Sequence, residues 1–268
     1  MGLRRLCRII RNLRASVRSF LVSSSYRFVD HVRGFSYEFD KNGEKEVLET
    51  ISELQFETVF DVGANIGHWS KVALGLFPKA TVYAFELSQQ TFSVLHSNLR
   101  GNRVRLYDFG LSDVEEAVKF KDYGVNSGGN TMVLRSSFHD DYLDFGISEG
   151  RVKVGDDFFR KEGLLSIDFL KIDVEGAEHL VLKGFSSTLE QQKVRIIQFE
   201  YGYANGDGSF LMRDFYDFLG GFGYVIARVE RGGLDFRDWR YPDNDFKSGP
   251  NYVAVLGHDT EVINLLAR

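Results

Sequence analysis

Apolar and polar positions alternate along most of this chain in the strand, helix, strand order of an α/β protein. Short apolar runs predict buried strands at 58–62, 81–86, 104–107, 167–173 and 194–200. Amphipathic stretches predict helices at 44–54, 67–76, 89–99, 157–162, 176–185, 210–219 and 260–267. Two final runs predict a closing antiparallel pair, 224–229 with 252–256. Such alternation favours a mostly parallel sheet with helices on both faces.

The charge divides the chain into a basic extension, residues 1–35, and an acidic remainder, 36–268. The extension holds eight arginines and one acid, Asp30, a formal charge of +7 that leaves −12 on the remainder. Its apolar residues recur at helical spacing and predict a basic amphipathic helix. Three interpretations stay open: residues 1–33 contact an anionic membrane surface, the helix packs on the domain, or it is a targeting segment.

Composition narrows the function classes. The net charge of −5 gives no reason to expect a nucleic-acid partner. Cys7 is the single cysteine, so no internal disulfide can form, which suits a reducing, cytoplasmic location. No apolar run is long enough to cross a bilayer, so any membrane contact is expected to be peripheral.

The segment from Val59 to His68 predicts a buried strand that turns on glycines into a helix. Gly63 and Gly67 allow a tight turn and a close approach of backbone to a ligand, and His68 is a candidate to cap that ligand. Glu86 ends the next strand about twenty residues on, the spacing at which an acid meets a ribose. The turn therefore predicts a site for a nucleoside-bearing cofactor.

Two residues of the turn favour S-adenosylmethionine. Asn65 stands where a dinucleotide-binding motif has its second glycine, and Asp61 would repel a pyrophosphate but attract an ammonium group. S-adenosylmethionine has an ammonium group and a ribose diol without phosphate, and Glu86 has two oxygens for the diol. A nicotinamide-dependent oxidoreductase is the alternative. A non-catalytic module that binds a cofactor or a membrane is the third hypothesis.

A second group of acids follows the strand at 167–173. Methyl transfer to an alcohol requires removal of its proton, which a nearby carboxylate or imidazole can accept. Asp173 is the first candidate for this base, Glu175 the second and His179 the third, and Glu200 is expected to hydrogen-bond another acceptor hydroxyl. Mg²⁺ binding by the same carboxylates is the less favoured alternative, so no metal site is predicted.

Four segments resemble those of FkbM-type methyltransferases: Asp61–Gly67, Phe85–Glu86, Leu111–Asp113 and Ile167–Glu178. The most specific part is Lys171–Glu178. The resemblance covers about residues 55–200 and runs more loosely to 257. It implies a class I, Rossmann-like methyltransferase fold with a seven-stranded sheet in one domain, 36–268. It also implies S-adenosylmethionine as donor and a hydroxyl acceptor on a sugar, a glycan or a polyketide-like small molecule.

The resemblance also implies a donor site, residue by residue. Its members would be Asp61, Gly63, Asn65, Gly67 and Glu86, with Gly110, Leu111 and Ser112 beside the adenine. Residues 1–50 and 122–150 fall outside the resemblance. They are where we expect the choice of acceptor to be decided.

Overall fold

The computed structural model describes residues 24, 36, 38–125, 127–135, 144–230, 232–246 and 251–267. Apart from Ser24, the basic helix predicted within 1–35 lies outside the described residues, as do its three interpretations. Within the described ranges, no helix combines the length and hydrophobicity needed to cross a bilayer.

Eleven strands form two sheets in the described part of the chain. They are β1 (Thr58–Val62), β2 (Thr81–Phe85), β3 (Val104–Tyr107), β4 (Gly110–Ser112), β5 (Glu116–Asp122), β6 (Gly146–Val154), β7 (Ile167–Ile172), β8 (Val194–Glu200), β9 (Tyr224–Glu230), β10 (Gly233–Phe236) and β11 (Asn251–Leu256). The main sheet has the order β10-β9-β11-β8-β7-β1-β2-β3, and the small sheet has the order β4-β6-β5.

The helices of the described residues occupy the stretches between these strands. They are α1 (Glu44–Thr50), α2 (His68–Leu76), α3 (Gln89–Asn98), α4 (Gly155–Lys161), α5 (Glu178–Gly184), α6 (Ser186–Glu190), α7 (Tyr203–Asp207), α8 (Met212–Gly221) and α9 (Thr260–Leu266). A 3₁₀ turn covers Tyr241–Asn244. Every predicted strand and helix outside the extension is present, with ends shifted by a few residues.

The main sheet confirms the predicted topology and adds an edge. Strands β3, β2, β1, β7 and β8 are parallel, and β11 is antiparallel to both β8 and β9. The seven-stranded sheet with an antiparallel closing strand is therefore correct, and β10 is an eighth strand paired to β9. The chain order reverses between β1 and β7, where ligands bind in sheets of this kind.

Strand alternation separates two apolar cores, one on each face of the main sheet. Phe60 and Val62 of β1 belong to the larger core, whereas Val59 belongs to the other. In the neighbouring strand β7, Leu170 lies on the first face and Phe169 on the second. Because side chains repeat every two residues along a strand, the face of every residue in β1 and β7 is fixed by these contacts.

The small sheet was not predicted. Its strands β5 and β6 carry mainly exposed or half-buried side chains, so the apolar alternation that identifies a strand is weak there. The sheet is tied to the core where α5 passes close to β4. Gly184 makes this approach possible, because a Cβ there would lie 2.0 Å from the carbonyl oxygen of Ser112.

We expect Gly184→Ala to destabilise the protein by about 1–3 kcal/mol, because the methyl group forces α5 away from backbone atoms of β4. Urea unfolding followed by circular dichroism measures this loss. Gly75→Ala is the control, since Gly75 lies in α2 with open space around it. Its expected effect is a gain of up to about 1 kcal/mol from helix propensity. Equal stability of the two variants would contradict the close approach.

Candidate active site

The glycine turn after β1 is pinned to both neighbouring strands. The backbone N–H groups of Gly63 and Ala64 donate to the carbonyl oxygen of Phe85, at 3.0 and 2.9 Å. Gly63 has a φ of 82°, and a Cβ on it would lie 1.8 Å from the carbonyl oxygen of Asp173. The turn thus needs glycine both for its conformation and for its contact with the end of β7.

Glu86 closes the turn from the end of β2. Its carboxylate accepts hydrogen bonds from the backbone N–H groups of Asn65 and Ser88, both at 2.9 Å. Burial raises the pKa of the Glu86 carboxyl to about 7, although both backbone donors favour its ionised form. Each carboxylate oxygen keeps a lone pair for a further donor.

A cavity opens between this turn and the small sheet, and we call it the turn cavity. Gly63, Asn65, Glu86, Gly110 and Leu111 line it, and its space is about 740 Å³ with the open mouth included. Five of the predicted donor-site residues therefore meet around one hollow. Their arrangement has the size and the position of a nucleoside site at the switch point.

Two residues that line the turn cavity each carry a buried polar atom without a hydrogen-bond partner among the described residues. Thr91 is only 2% exposed, yet its hydroxyl oxygen has no partner within the described residues, and the same holds for Asn65 Oδ1. A buried polar group without a partner is costly, so these two atoms fit a ligand that brings hydroxyl and amino groups. Thr91 was missed from the sequence, although its position one helical turn before Leu95 predicts a buried face.

Asp61 does not reach this cavity. It is fully buried on the opposite face of β1 from Val62, where its carboxylate accepts from the Ser70 hydroxyl at 2.6 Å. Lys171 Nζ lies 3.2 Å from its other oxygen. The prediction that Asp61 holds the ammonium group of the donor is corrected accordingly, because strand alternation turns the side chain away from the cavity.

Lys171 joins Asp61 to the acid at the end of β7. Its ammonium nitrogen lies 3.1 Å from Asp173 Oδ2 as well as close to Asp61. Burial disfavours the charge, but the carboxylates of Asp173, Asp61 and Glu44 outweigh it and raise the pKa of Lys171 above its usual value. Lys171 is therefore a permanent cation between β1 and β7.

Three further donor-site predictions are also corrected. Gly67 does not line the turn cavity; it lets α2 pack on α3, since a Cβ there would lie 2.7 Å from Leu95 Cδ1. His68 is exposed, and its ring lies 5.2 Å from that of Phe39. Ser112 is buried where β4 meets α5 and lies outside the cavity lining.

A second cavity, the acid cavity, adjoins the first. Its lining includes Glu44, Asp173, Glu175, Glu178 and Glu200, and its space is about 1150 Å³ with the open mouth included. Asp173, Glu175 and Glu200 each offer an oxygen within 4.8 Å of the others, dimensions that would also suit one divalent cation. The predicted acids of strands β7 and β8 are thus brought together.

The carboxyl groups of this cluster differ in how readily they ionise. Burial opposes ionisation of Asp173, but the Lys171 ammonium and a hydrogen bond with Glu200 hold its pKa below the usual value. Burial first, and then the neighbouring carboxylates, raise the pKa of Glu175 and of Glu200 well above the usual value. Asp173 is therefore the member of the group that ionises most readily, and its side chain keeps 39% exposure.

Glu178 and His179 do not belong to the cluster formed by Asp173, Glu175 and Glu200. The Glu178 carboxylate accepts from the backbone N–H groups of Val174 and Gly176 and from the Asn205 amide, so it holds the turn between β7 and α5. Burial raises the pKa of Glu178 to about 7. The His179 ring stacks on Phe210 and lines neither cavity, so its predicted role as a base is corrected.

The two cavities share a wall. Ser127, Gly128, Asp173 and Glu175 line both of them. A group bound in the turn cavity and a group bound in the acid cavity therefore face each other across Asp173 and Glu175. This arrangement suits transfer between two ligands, with a carboxylate at the point of contact.

The strand order, the glycine turn and the acid after the second strand define a class I methyltransferase. Residues 61–226 match the family described as Methyltransferase FkbM domain, which is more than half of the chain. The chain therefore belongs to the FkbM family of S-adenosylmethionine-dependent methyltransferases. Family membership overturns the oxidoreductase and non-catalytic alternatives.

Curated relatives agree with this assignment. The chain is 28% identical to the 2-O-methyltransferase NoeI of Sinorhizobium fredii over 65% of this chain and 75% of NoeI. It is 27% identical to the hexuronic acid methyltransferase AglP of Haloferax volcanii over 61% of this chain and 65% of AglP. It is 30% identical to the 31-O-demethyl-FK506 methyltransferase FkbM of Streptomyces tacrolimicus over 48% of this chain and 59% of that protein.

The buried Lys171–Asp61 pair gives a stability prediction. We expect Lys171→Met to cost about 3–5 kcal/mol in urea unfolding, because it leaves the Asp61 carboxylate buried without a cation. The double variant Lys171→Met/Asp61→Asn should lose at least about 1 kcal/mol less than the sum of the single variants. Lys45→Met is the control, since Lys45 forms an exposed ion pair with Asp40 and should change stability by about 0.5 kcal/mol or less. Additive single effects would contradict a direct pair.

Proposed function

We propose that this enzyme transfers a methyl group from S-adenosylmethionine to a hydroxyl of a sugar, a glycan or another polyhydroxylated small molecule, with Asp173 as the base. The observation that carries the proposal is the wall common to both cavities, at Asp173 and Glu175. It lies at the end of β7, beside the glycine turn. The names of NoeI and of the FkbM relative, which specify O-methylation, support an oxygen acceptor.

The turn cavity would hold the donor. Gly63 lets the backbone approach it, and Gly110 and Leu111 offer a flat wall for the adenine. The Glu86 carboxylate would accept the ribose hydroxyls, and Thr91 would supply a further polar contact. When bound, the donor supplies an electrophilic methyl group on a sulfonium.

The acid cavity would place the acceptor and take its proton. The reacting hydroxyl oxygen must lie about 3–3.5 Å from the methyl carbon, in line with the bond that breaks. Asp173 is kept ionised by Lys171, so it can accept the hydroxyl proton as the new C–O bond forms. Glu200 would hydrogen-bond a second hydroxyl of the acceptor, and Glu175 would close the wall.

The raised pKa of Glu86 predicts how donor binding depends on pH. Ribose hydroxyls donate best to an ionised carboxylate, and Glu86 ionises as pH rises through about 7. We therefore expect the Kd for S-adenosylmethionine, measured by calorimetry, to fall about tenfold between pH 6 and pH 8. In Glu86→Gln the affinity should be weaker and should lose this dependence.

Comparing the pH profile of the wild-type Kd with that of Glu86→Gln cancels any pH dependence that comes from titration of the donor itself. Glu149→Gln is the control, because Glu149 lies on β6 outside both cavities and should keep the wild-type profile. No binding by the wild-type protein would defeat the proposed function. A profile that Glu86→Gln leaves intact would remove Glu86 from the donor site.

The assignment of Asp173 as base predicts a loss of turnover without a loss of donor binding. We expect Asp173→Asn to lower kcat by about 10²–10⁴-fold, because the amide cannot take the hydroxyl proton. The measurement is transfer of labelled methyl at saturating donor, with the donor Kd from calorimetry. Asp108→Asn is the control: this exposed acid follows β3 as Asp173 follows β7, but it lines neither cavity. Full turnover in Asp173→Asn would move the role of base to Glu175.

A further inference from the structure

We infer that the acid cavity selects an acceptor whose methylated unit is neutral or positively charged, and that Glu44, outside the matched family region, is a specificity-determining residue for it. This inference rests on the proposed function, since it names the class of substrate for the same site. The unit would carry hydroxyl or amino groups and no carboxylate or phosphate.

The charge of the lining is the first argument. Five carboxyl groups line the acid cavity, and its described lining contains no lysine, arginine or histidine. Lys171, whose ammonium contacts Asp173, is buried and also paired with Asp61. A carboxylate or phosphate on the acceptor would therefore meet the ionised Asp173 without a compensating cation, which is strongly unfavourable at this depth. An ammonium group on the acceptor would instead be attracted by the ionised Asp173.

The hydrogen-bonding capacity of the wall is the second argument. The ionised Asp173 only accepts hydrogen bonds, and each side-chain amide of the lining already donates to a carboxyl group. Asn42 and Asn251 both donate to Glu44, and Asn205 donates to Glu178. Hydroxyl and amino groups bring donors for the Asp173 carboxylate, whereas carboxylate and phosphate groups bring only further acceptors to it.

Glu44 is the centre of one side of this wall. It is the first residue of α1, and it accepts from Asn251 Nδ2 at 3.0 Å and from Gln198 Nε2 at 2.6 Å, besides Asn42. The side-chain oxygen of Gln198, a residue 1% exposed, has no partner among the described residues. This network holds the Glu44 carboxylate in the lining that it shares with Asp173, while Gln198 lies behind the lining.

Three of the four network residues bear on specificity because of where they lie in the chain. Asn42, Glu44 and Asn251 fall outside the matched region, 61–226, while all of them line the acid cavity. The matched region thus supplies the lining of the turn cavity, and the segments that flank it complete the lining of the acid cavity. The relative AglP is named for a hexuronic acid, and we expect this chain to differ from it in the charge of the acceptor.

The decisive experiment identifies the unit that receives the methyl group. The full chain is incubated with labelled S-adenosylmethionine and an extract of its source cells, with EDTA in one arm and Mg²⁺ in the other. Products are hydrolysed to single units, which are separated by charge and identified by mass. We expect at least about tenfold more label in neutral or amine-bearing units than in units with a carboxylate or phosphate.

The outcomes separate the two proposals. Label mainly in units with a carboxylate or phosphate, in either arm, overturns the inference and leaves the proposed function standing. No label in any unit, although the protein binds the donor, overturns the proposed function itself. Label in neutral or amine-bearing units supports both.

Variants of Glu44 then test the residue with the identified acceptor. We expect Glu44→Gln to raise the acceptor KM about tenfold while kcat and the donor Kd stay within about twofold, because the change removes acceptor capacity from the wall alone. Glu46→Gln is the matched control, since Glu46 lies two residues on in α1 and faces Gly232 rather than the acid cavity.

A second variant guards against a failure to fold. Asn251→Asp replaces the amide that donates to Glu44 with a carboxyl group that repels it, at nearly constant volume, so we expect Glu44 to be displaced and the acceptor KM to rise as well. Circular dichroism and the donor Kd show whether each variant is folded. Unchanged acceptor KM in both folded variants, or equal weakening of donor and acceptor binding, would remove Glu44 from acceptor recognition.

Discussion

The buried ammonium of Lys171 is the interaction on which the centre of this enzyme depends. It lies between Asp61 of β1 and Asp173 at the end of β7, and so ties together the two strands between which the sheet reverses its order. Without it, the carboxylates of Asp61 and Asp173 would lie close together at the edge of the core. Asp173 would also lie in one cavity wall with Glu175, Glu178 and Glu200. With it, Asp173 is held ionised while the pKa values of Glu175 and Glu200 are raised. One cation thus supports the fold and influences the charge of the acid cavity.

Much of the fold followed from apolar periodicity, because the strands of the main sheet are continuous buried runs with turn residues at their ends. The glycine turn and Glu86 were also predictable, since a tight turn and an acid one strand later have a known physical purpose. Asp61 shows the limit of spacing as evidence. Spacing locates it in the motif but does not give its face. Val62, the next residue, is in the larger core, so alternation places Asp61 on the other side of the sheet.

Other parts of the site depend on contacts between distant segments, which no local pattern reveals. Glu44 had only the sequence signature of an acid at the start of a helix, and its partners Gln198 and Asn251 lie more than 150 residues away. Thr91 belongs to no recognisable motif, yet it lines the turn cavity with Glu86, and its hydroxyl has no partner among the described residues. The small sheet escaped prediction because its strands are exposed on most positions, where selection for apolar side chains is weak.

The division of labour between the two cavities bears on how such enzymes diversify. The proposed donor contacts lie in the glycine turn, Glu86 and the wall at Gly110, whereas one side of the acid cavity comes from the segment around Glu44 and from Asn251. Substitutions at sites that share no partner have nearly additive effects. A lineage can therefore exchange the flanking segments and adopt a new acceptor while its inherited donor machinery stays intact. New acceptor specificities would then evolve on this scaffold by exchange of the segments that flank the family region.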